Sequence, residues 1–205
     1  MPFLKDFIIN DSTKITMWKI IPGELDEKHL NTLDIGYLET RKGKKSREYF
    51  LAVRKILKNE NPELFIKYDL NGKPHLNNQK GISISHSNEI VAICISNEKD
   101  FGIDVQHKTD QVFKIQNKFL SEIESKFLAK KNDPESIIKV WSAKESIYKA
   151  LGKQGVSFLN DIEIETIIDK DIFRAGYYRK GNIKIKFDLD FLCMEEYIIC
   201  YAKKS

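Results

Sequence analysis

Apolar residues recur along this chain at two spacings, every second position and every third to fourth, and the switches between them mark out its elements. Residues 13–21 read as a strand, and residues 24–40 as a helix entered after the Pro22-Gly23 turn. Over 45–58 the period is helical, with Tyr49, Phe50, Val53, Ile56 and Leu57 on one face and Arg47 and Arg54 off it. A short strand at 64–70 ends in the turn Asn71-Gly72-Lys73-Pro74. Strands follow at 81–85 and 90–96, joined by His86-Ser87-Asn88-Glu89, and at 101–106. Ser121-Glu122-Ile123-Glu124 has the form of a capping box and opens a helix through Lys130. Asp133-Pro134, with proline in the first turn, opens a long helix that residues 152–155 close with glycine at either end. The segments 162–168, 172–178, 182–189 and 197–202 then predict a run of antiparallel strands.

The long helix contains Trp141-Ser-Ala-Lys144-Glu145-Ser-Ile-Tyr148-Lys149-Ala-Leu-Gly152. Helical spacing puts Ile137, Val140, Trp141, Ile147, Tyr148 and Leu151 on one apolar stripe. Glu145 and Lys149, four apart, share a face at the edge of that stripe. Lys144 falls nearly at its centre, where an ammonium must snorkel outward or meet an anion in a cleft. Alone, the Glu145–Lys149 spacing is equally that of an ordinary solvated ion pair.

Composition narrows the class. The chain has 205 residues, 41% hydrophobic and 31% charged, as in a globular protein. A net charge of +4 suits a small anionic ligand or an acidic partner, and no dense basic run interleaved with aromatics points to nucleic acid. Asp6 interrupts the apolar character of the N-terminal residues, so no signal peptide is expected, and no uncharged run is long enough to span a bilayer. Cys94, Cys193 and Cys200 lie in apolar, strand-like text with no C-x-x-C pair, which predicts reduced, buried thiols and a cytoplasmic setting. The four histidines, His29, His75, His86 and His107, show no metal-ligand spacing.

Glu89-Ile-Val-Ala-Ile-Cys94 and Glu195-Glu-Tyr-Ile-Ile-Cys200 echo one another in spacing and character. Two β-rich segments can match by chance. If the echo is a repeat, the chain is two α+β units, 1–100 and 101–205, each a small antiparallel sheet packed against helices.

Asp104, in Phe101-Gly102-Ile103-Asp104-Val105, is a carboxylate within a strand and needs a partner there. A salt bridge would serve, and so would a divalent metal shared with Glu145, because Mg2+ accepts two carboxylates with phosphate oxygens and waters. Arg41, Lys42, Lys44, Lys45 and Arg47 crowd the start of a helix, where cations oppose the dipole unless an anion is bound. Lys73 sits on a Gly-Pro turn open to close approach by a ligand, and His86 ends a strand beside Ser85 and Ser87, as a polar cap or a phosphate donor.

Taken in order, Gly72-Lys73-Pro74, Ile84-Ser85-His86-Ser87, Gly102-Ile103-Asp104-Val105 and the Trp141–Gly152 block resemble the 4'-phosphopantetheinyl transferases, in particular the longer surfactin type in which one chain holds two similar halves. The resemblance runs from about Arg47 to the C-terminus, and the W-x-x-K-E-x-x-x-K block is its most specific part. It implies an enzyme that moves the phosphopantetheine arm of coenzyme A onto a serine of an acyl or peptidyl carrier protein, with Mg2+, releasing adenosine 3',5'-bisphosphate from a cleft between the halves. By position, Asp104 and Glu145 would hold Mg2+, and Glu145 would help deprotonate the serine. Lys149, with Lys144, would neutralise the phosphate under attack. Arg47, Lys73, Ser85 and His86 would hold the adenine-side phosphates, with Gly72 and Pro74 shaping the nucleotide pocket. The surfactin type commonly has a third acidic ligand two residues after the strand Asp; here that position is Gln106, whose amide oxygen can bind Mg2+ but brings no charge, so either Gln106 or a water fills the third position or the metal is held less tightly.

The expected partners are coenzyme A and an acidic carrier protein, met by a monomer; neither nucleic acid nor membrane is expected. Lys114, Lys118, Lys126, Lys130 and Lys131 either flank the carrier's docking site or make a solubilising face. A non-catalytic coenzyme A or nucleotide-binding module is the rival: it would keep Lys73 and His86 but have no use for Asp104 with Glu145.

Overall fold

The computed structural model describes residues 3–28, 30–109, 111–165 and 173–205. The fold is α+β, with antiparallel sheets throughout. The chain divides into two compact units, residues 1–69 with 74–98, and residues 70–73 with 99–205.

In the first unit, β1 (Phe3–Asn10), β2 (Thr13–Lys19), β6 (Ile90–Ser96) and β5 (Gly81–Ser87) form one sheet in that order. Strand β6 lies between β2 and β5, which is why nearly all of its residues are buried. Helix α2 (Lys44–Glu60) lays Ala52, Val53, Ile56 and Leu57 into a core with Ile82, Val91 and Ile93. The ribbon β3 (Ile66–Tyr68) and β4 (Pro74–Leu76) adds Ile66 and Leu76 to it.

One strand is added in this half and two expectations are corrected. Residues 3–10 form an edge strand, mostly exposed; Asp6 sits within β1 and pairs with Thr16 across the ladder. The helix expected over 24–40 is only α1 (Thr32–Glu39), because the Asn31 side chain caps it by accepting from the Asp34 amide and Asp26 bends the preceding chain onto the Lys28 amide. Arg54 is not off the buried face of α2 but 3% exposed. It donates to Asp34 at 2.8 Å and lies 3.8 Å from the Phe50 ring centroid, so a buried ion pair docks α1.

In the second unit the sheet runs β7 (Phe101–His107), β11 (Tyr197–Lys204), β10 (Ile183–Cys193), β9 (Ala175–Lys180) and β8 (Ile162–Ile164). The strands expected at 162–168 and 172–178 hold only in part; residues 166–172 lie outside the described residues. Before the long helix come α3 (Gln111–Ile115), a 3-10 turn (Gln116–Lys118) and α4 (Glu122–Lys131). The capping box of α4 is formed as spaced, with Glu124 accepting from the Ser121 amide and the Ser121 hydroxyl from the Glu124 amide.

Helix α5 (Pro134–Leu151) lies across β7 and β11. Asp133 caps its first turn, and Gly152 ends it at φ 57°, a left-handed position that favours glycine. Its buried surface is broader than the expected stripe. Ile138, Val140, Ala143, Ile147 and Ala150 are buried along with Ser142, Lys144 and Ser146, whereas Ile137, Trp141, Tyr148 and Leu151 are only partly covered. The echoed segments fall on β6 and β11, and Cys94 and Cys200 are both buried there, with burial pushing their thiols up. Cys193 is exposed, contrary to expectation. Among the described residues no helix is long and apolar enough to cross a membrane.

Candidate active site

The approach of α5 to β7 begins with a missing side chain. A Cβ on Gly102 would lie 2.1 Å from the Ser146 carbonyl oxygen and 2.7 Å from the Ala150 amide, both backbone atoms that cannot swing aside. Glycine therefore lets the strand come up against the helix two residues before Asp104. Gly102→Ala is expected to destabilise the protein by about 2–4 kcal/mol, as overpacking with forced backbone shifts does. Urea denaturation checks this; a loss under ~0.5 kcal/mol would mean that the contact yields freely.

That proximity brings three functional groups together. Asp104, 3% exposed, accepts from Lys149 Nζ at 2.8 Å through Oδ1 and from the Gln106 amide at 2.7 Å through Oδ2. Lys149 also donates to the Ile103 carbonyl at 2.9 Å. The expected pairing of Glu145 with Lys149 one turn along the helix is thus replaced by a pairing of Lys149 with the strand. Glu145 accepts no hydrogen bond among the described residues and feels Asp104 and Lys149 through space. Burial first, and repulsion by Asp104 second, push its carboxyl up to about 7 against the pull of Lys149.

A carboxyl raised in the fold makes a signed prediction. Between about 4.5 and 7 the native state holds the Glu145 proton that the unfolded chain has released. Stability from this group is present below that window and lost as pH rises through it. Thermal melts of the metal-free protein from pH 4.5 to 8 should show a falling component that Glu145→Gln removes; an identical pH profile for the variant would overturn the assignment.

A buried carboxylate and a half-buried one that repel each other are a donor set that suits a hard divalent cation. Among the described residues no third Asp, Glu, His or Cys joins them. Mg2+ needs none, since it commonly uses one or two carboxylates and fills its octahedron with waters and phosphate oxygens. Gln106 turns its amide nitrogen to Asp104, so in this structure it orients a carboxylate and does not offer its oxygen to that side.

Lys144 corrects the sequence reading. It is fully buried, and its ammonium lies 2.6–2.9 Å from the carbonyls of Phe119, Phe158 and Ile162 and from Glu124 Oε2. Burial lowers the Lys144 pKa, and Glu124 opposes that shift. Three donors facing four acceptors leave nothing for a phosphate. Glu124 also accepts from the Ser121 and Ile164 amides, so the pair joins α4, α5 and β8. The Phe119 and Phe158 rings pack on Trp141 with centroids 4.9 and 5.5 Å away while their carbonyls turn to Lys144.

Lys73 belongs to the second unit and caps the other end of α5, donating to the Ala150 carbonyl at 2.9 Å. Gly72, at φ 82°, and Pro74, at the start of β4, flank it. In the first unit the His86 ring is exposed and stacks on Tyr49 at 3.8 Å, and Tyr49 Oη donates to the Asn88 carbonyl. Helical spacing places Tyr49 only on the apolar face of α2 and gives no sign of this stacking. Ser85 is buried in β5. Arg47 donates to the Leu38 carbonyl at 3.0 Å and to Glu27 at 3.2 Å, and Lys45 lies over the Tyr49 ring. Ser142, Ser146 and Glu124 were not singled out by sequence; the capping box was the one signal pointing to Glu124.

Comparison with known proteins bears on the same segment. Over 151 residues the chain is 28% identical to the 4'-phosphopantetheinyl transferase gsp of Aneurinibacillus migulanus, covering 65% of this chain and 63% of that relative. The chain thus spans less than two thirds of that relative's length. Residues 100–202, half of the chain, match the family model of the 4'-phosphopantetheinyl transferase superfamily, and these are the residues that carry Asp104, Glu145 and Lys149. The chain belongs to the 4'-phosphopantetheinyl transferase superfamily.

Proposed function

We propose that the protein transfers the 4'-phosphopantetheine arm of coenzyme A to a serine hydroxyl of an acyl or peptidyl carrier protein, in a Mg2+-dependent reaction that releases adenosine 3',5'-bisphosphate. The observation that carries this reading is the meeting of Asp104, Glu145 and Lys149, two carboxylates and a cation from a strand and a helix.

Phosphoryl transfer asks a protein mainly for positioning and charge neutralisation. Mg2+, when bound, would neutralise the pyrophosphate and ease departure of the bisphosphate. Asp104 and Glu145 are the residues that would hold it. Lys149, paired with Asp104 at 2.8 Å, is the cation placed to share its charge with a substrate phosphate. Glu145 would also be the residue to accept the serine proton, directly or through a water, in its ionised form. Lys73, Arg47, Ser85 and His86 are proposed to bind the adenosine end, with Tyr49 fixing the His86 ring from behind.

The carrier is proposed to dock on α3 and α4. Phe113, Leu120, Leu128, Ala129, Pro134 and Ile137 line an apolar groove of about 410 Å3 there. Lys114, Lys118, Lys126 and Lys130 are exposed on the same elements, and Lys131 is half-buried. Such a rim suits an acidic helix with an apolar face. Reversing charge at Lys114 and Lys118 is expected to raise KM for the carrier about tenfold and leave KM for coenzyme A unchanged; an unchanged carrier KM would move the docking site elsewhere.

Intact-mass analysis of apo carrier proteins incubated with the protein, coenzyme A and Mg2+ tests the function as a whole. The expected result is a phosphopantetheine mass gain that chelator abolishes. Binding of coenzyme A without any gain across a panel of carriers would favour a non-catalytic binding module.

A further inference from the structure

Ser142 and Ser146 lie one turn apart on α5 and are both fully buried. A serine inside a helix ordinarily satisfies its hydroxyl on a carbonyl of its own preceding turn. Neither does so here. Ser142 donates to the Asp104 carbonyl at 3.2 Å, and Ser146 to the Cys200 carbonyl at 3.0 Å. Asp104 and Cys200 are direct partners across the β7–β11 ladder. The two hydroxyls therefore hold one rung of the sheet from one face of the helix, and Lys149 continues the row on the Ile103 carbonyl. Glu145, between the serines in sequence, lies within electrostatic reach of Asp104.

An apolar helix face would bury as much surface, but dispersion contacts have little direction and tolerate sliding and rolling. Hydrogen bonds weaken steeply with misalignment. The close contact at Gly102 sets how near the helix comes; two hydroxyls on one rung set where along the strands it sits and which way its side chains turn.

We infer that Ser142 and Ser146 are positioning residues that fix the rotation and axial registry of α5 on the sheet, and so hold Glu145 against Asp104. The inference rests on reading those two carboxylates as holders of a divalent cation.

The test is Mn2+ binding, measured with Mn2+ alone by electron paramagnetic resonance. The proteins compared are the wild type, the double variant Ser142→Ala with Ser146→Ala, and Leu189→Ala, a core truncation away from both carboxylates. The double variant is expected to lose on the order of tenfold in Mn2+ affinity, as loss of groups supporting metal ligands does. Leu189→Ala is expected to stay within about twofold of wild type even where its melting temperature falls as far. Wild-type protein that takes up no Mn2+ would overturn the metal reading itself. Wild-type binding matched by the double variant would overturn only the role of the serines, as would an equal loss in Leu189→Ala. If the double variant does not fold, each single variant, with about threefold expected, carries the same comparison.

Discussion

Glu145→Gln is expected to reduce carrier modification on the order of 10³-fold while making the metal-free protein more stable at pH 8. The two effects have one cause. The native fold holds this carboxyl against burial and against Asp104, which is why its pKa stands near 7 and not at its ordinary 4.5. At pH 8 the ionised side chain therefore opposes folding, and the amide, nearly equal in volume, removes that opposition; about 2 kcal/mol is a fair expectation. On the proposed mechanism, the same substitution takes away a charged ligand of the cation and the acceptor of the serine proton. Losses of that size are typical when an electrostatic element of a transition state is removed. Single-turnover mass analysis gives the rate, and thermal melts give the stability. A variant that keeps more than a tenth of the wild-type rate would remove Glu145 from the reaction. One that is inactive and also less stable would show its role to be structural.

Lys144→Met is expected to cost about 3–5 kcal/mol, a large share of the 5–15 kcal/mol that ordinarily separates folded from unfolded protein. The substitution leaves Glu124, 1% exposed, with a buried charge and no counter-ion, and strands the carbonyls of Phe119, Phe158 and Ile162. Adding Glu124→Gln should restore at least ~1 kcal/mol, since the amide oxygen still accepts from a backbone amide while the lone charge is gone. A double-mutant cycle in urea measures this coupling. Lys144→Met protein that kept its stability and failed only in binding coenzyme A would return Lys144 to the phosphate role that its place in the helix sequence suggested. The difference matters because Lys144 and Glu145 are neighbours: one anchors the helix to the body of the unit while the next faces the strand.

What the amino-acid order determined by itself was local. Ser121 with Glu124 closes a capping box because the residues are three apart, and Asp133-Pro134 and Gly152 bound α5 because caps act within a turn. The strands from 81 to 107 follow from alternation and apolar runs, and the W-x-x-K-E-x-x-x-K block pointed to the right family from residue types in order. Edge and boundary cases failed where one side chain outweighs the pattern, as Asn31 does in delaying α1 and Asp6 in disguising β1.

The tertiary structure alone decided which charges meet. Glu145 and Lys149 are four apart and read as partners, yet Lys149 reaches a carboxylate 45 residues away. Lys144 finds Glu124 at a distance of 20 residues, and Arg54 finds Asp34 at the same separation. An exposed i,i+4 pair contributes only a few tenths of a kcal/mol, whereas leaving a buried charge unpaired costs several. Burial therefore overrules helical spacing in choosing partners, and burial is set by how sheet and helix pack, which no window of sequence contains.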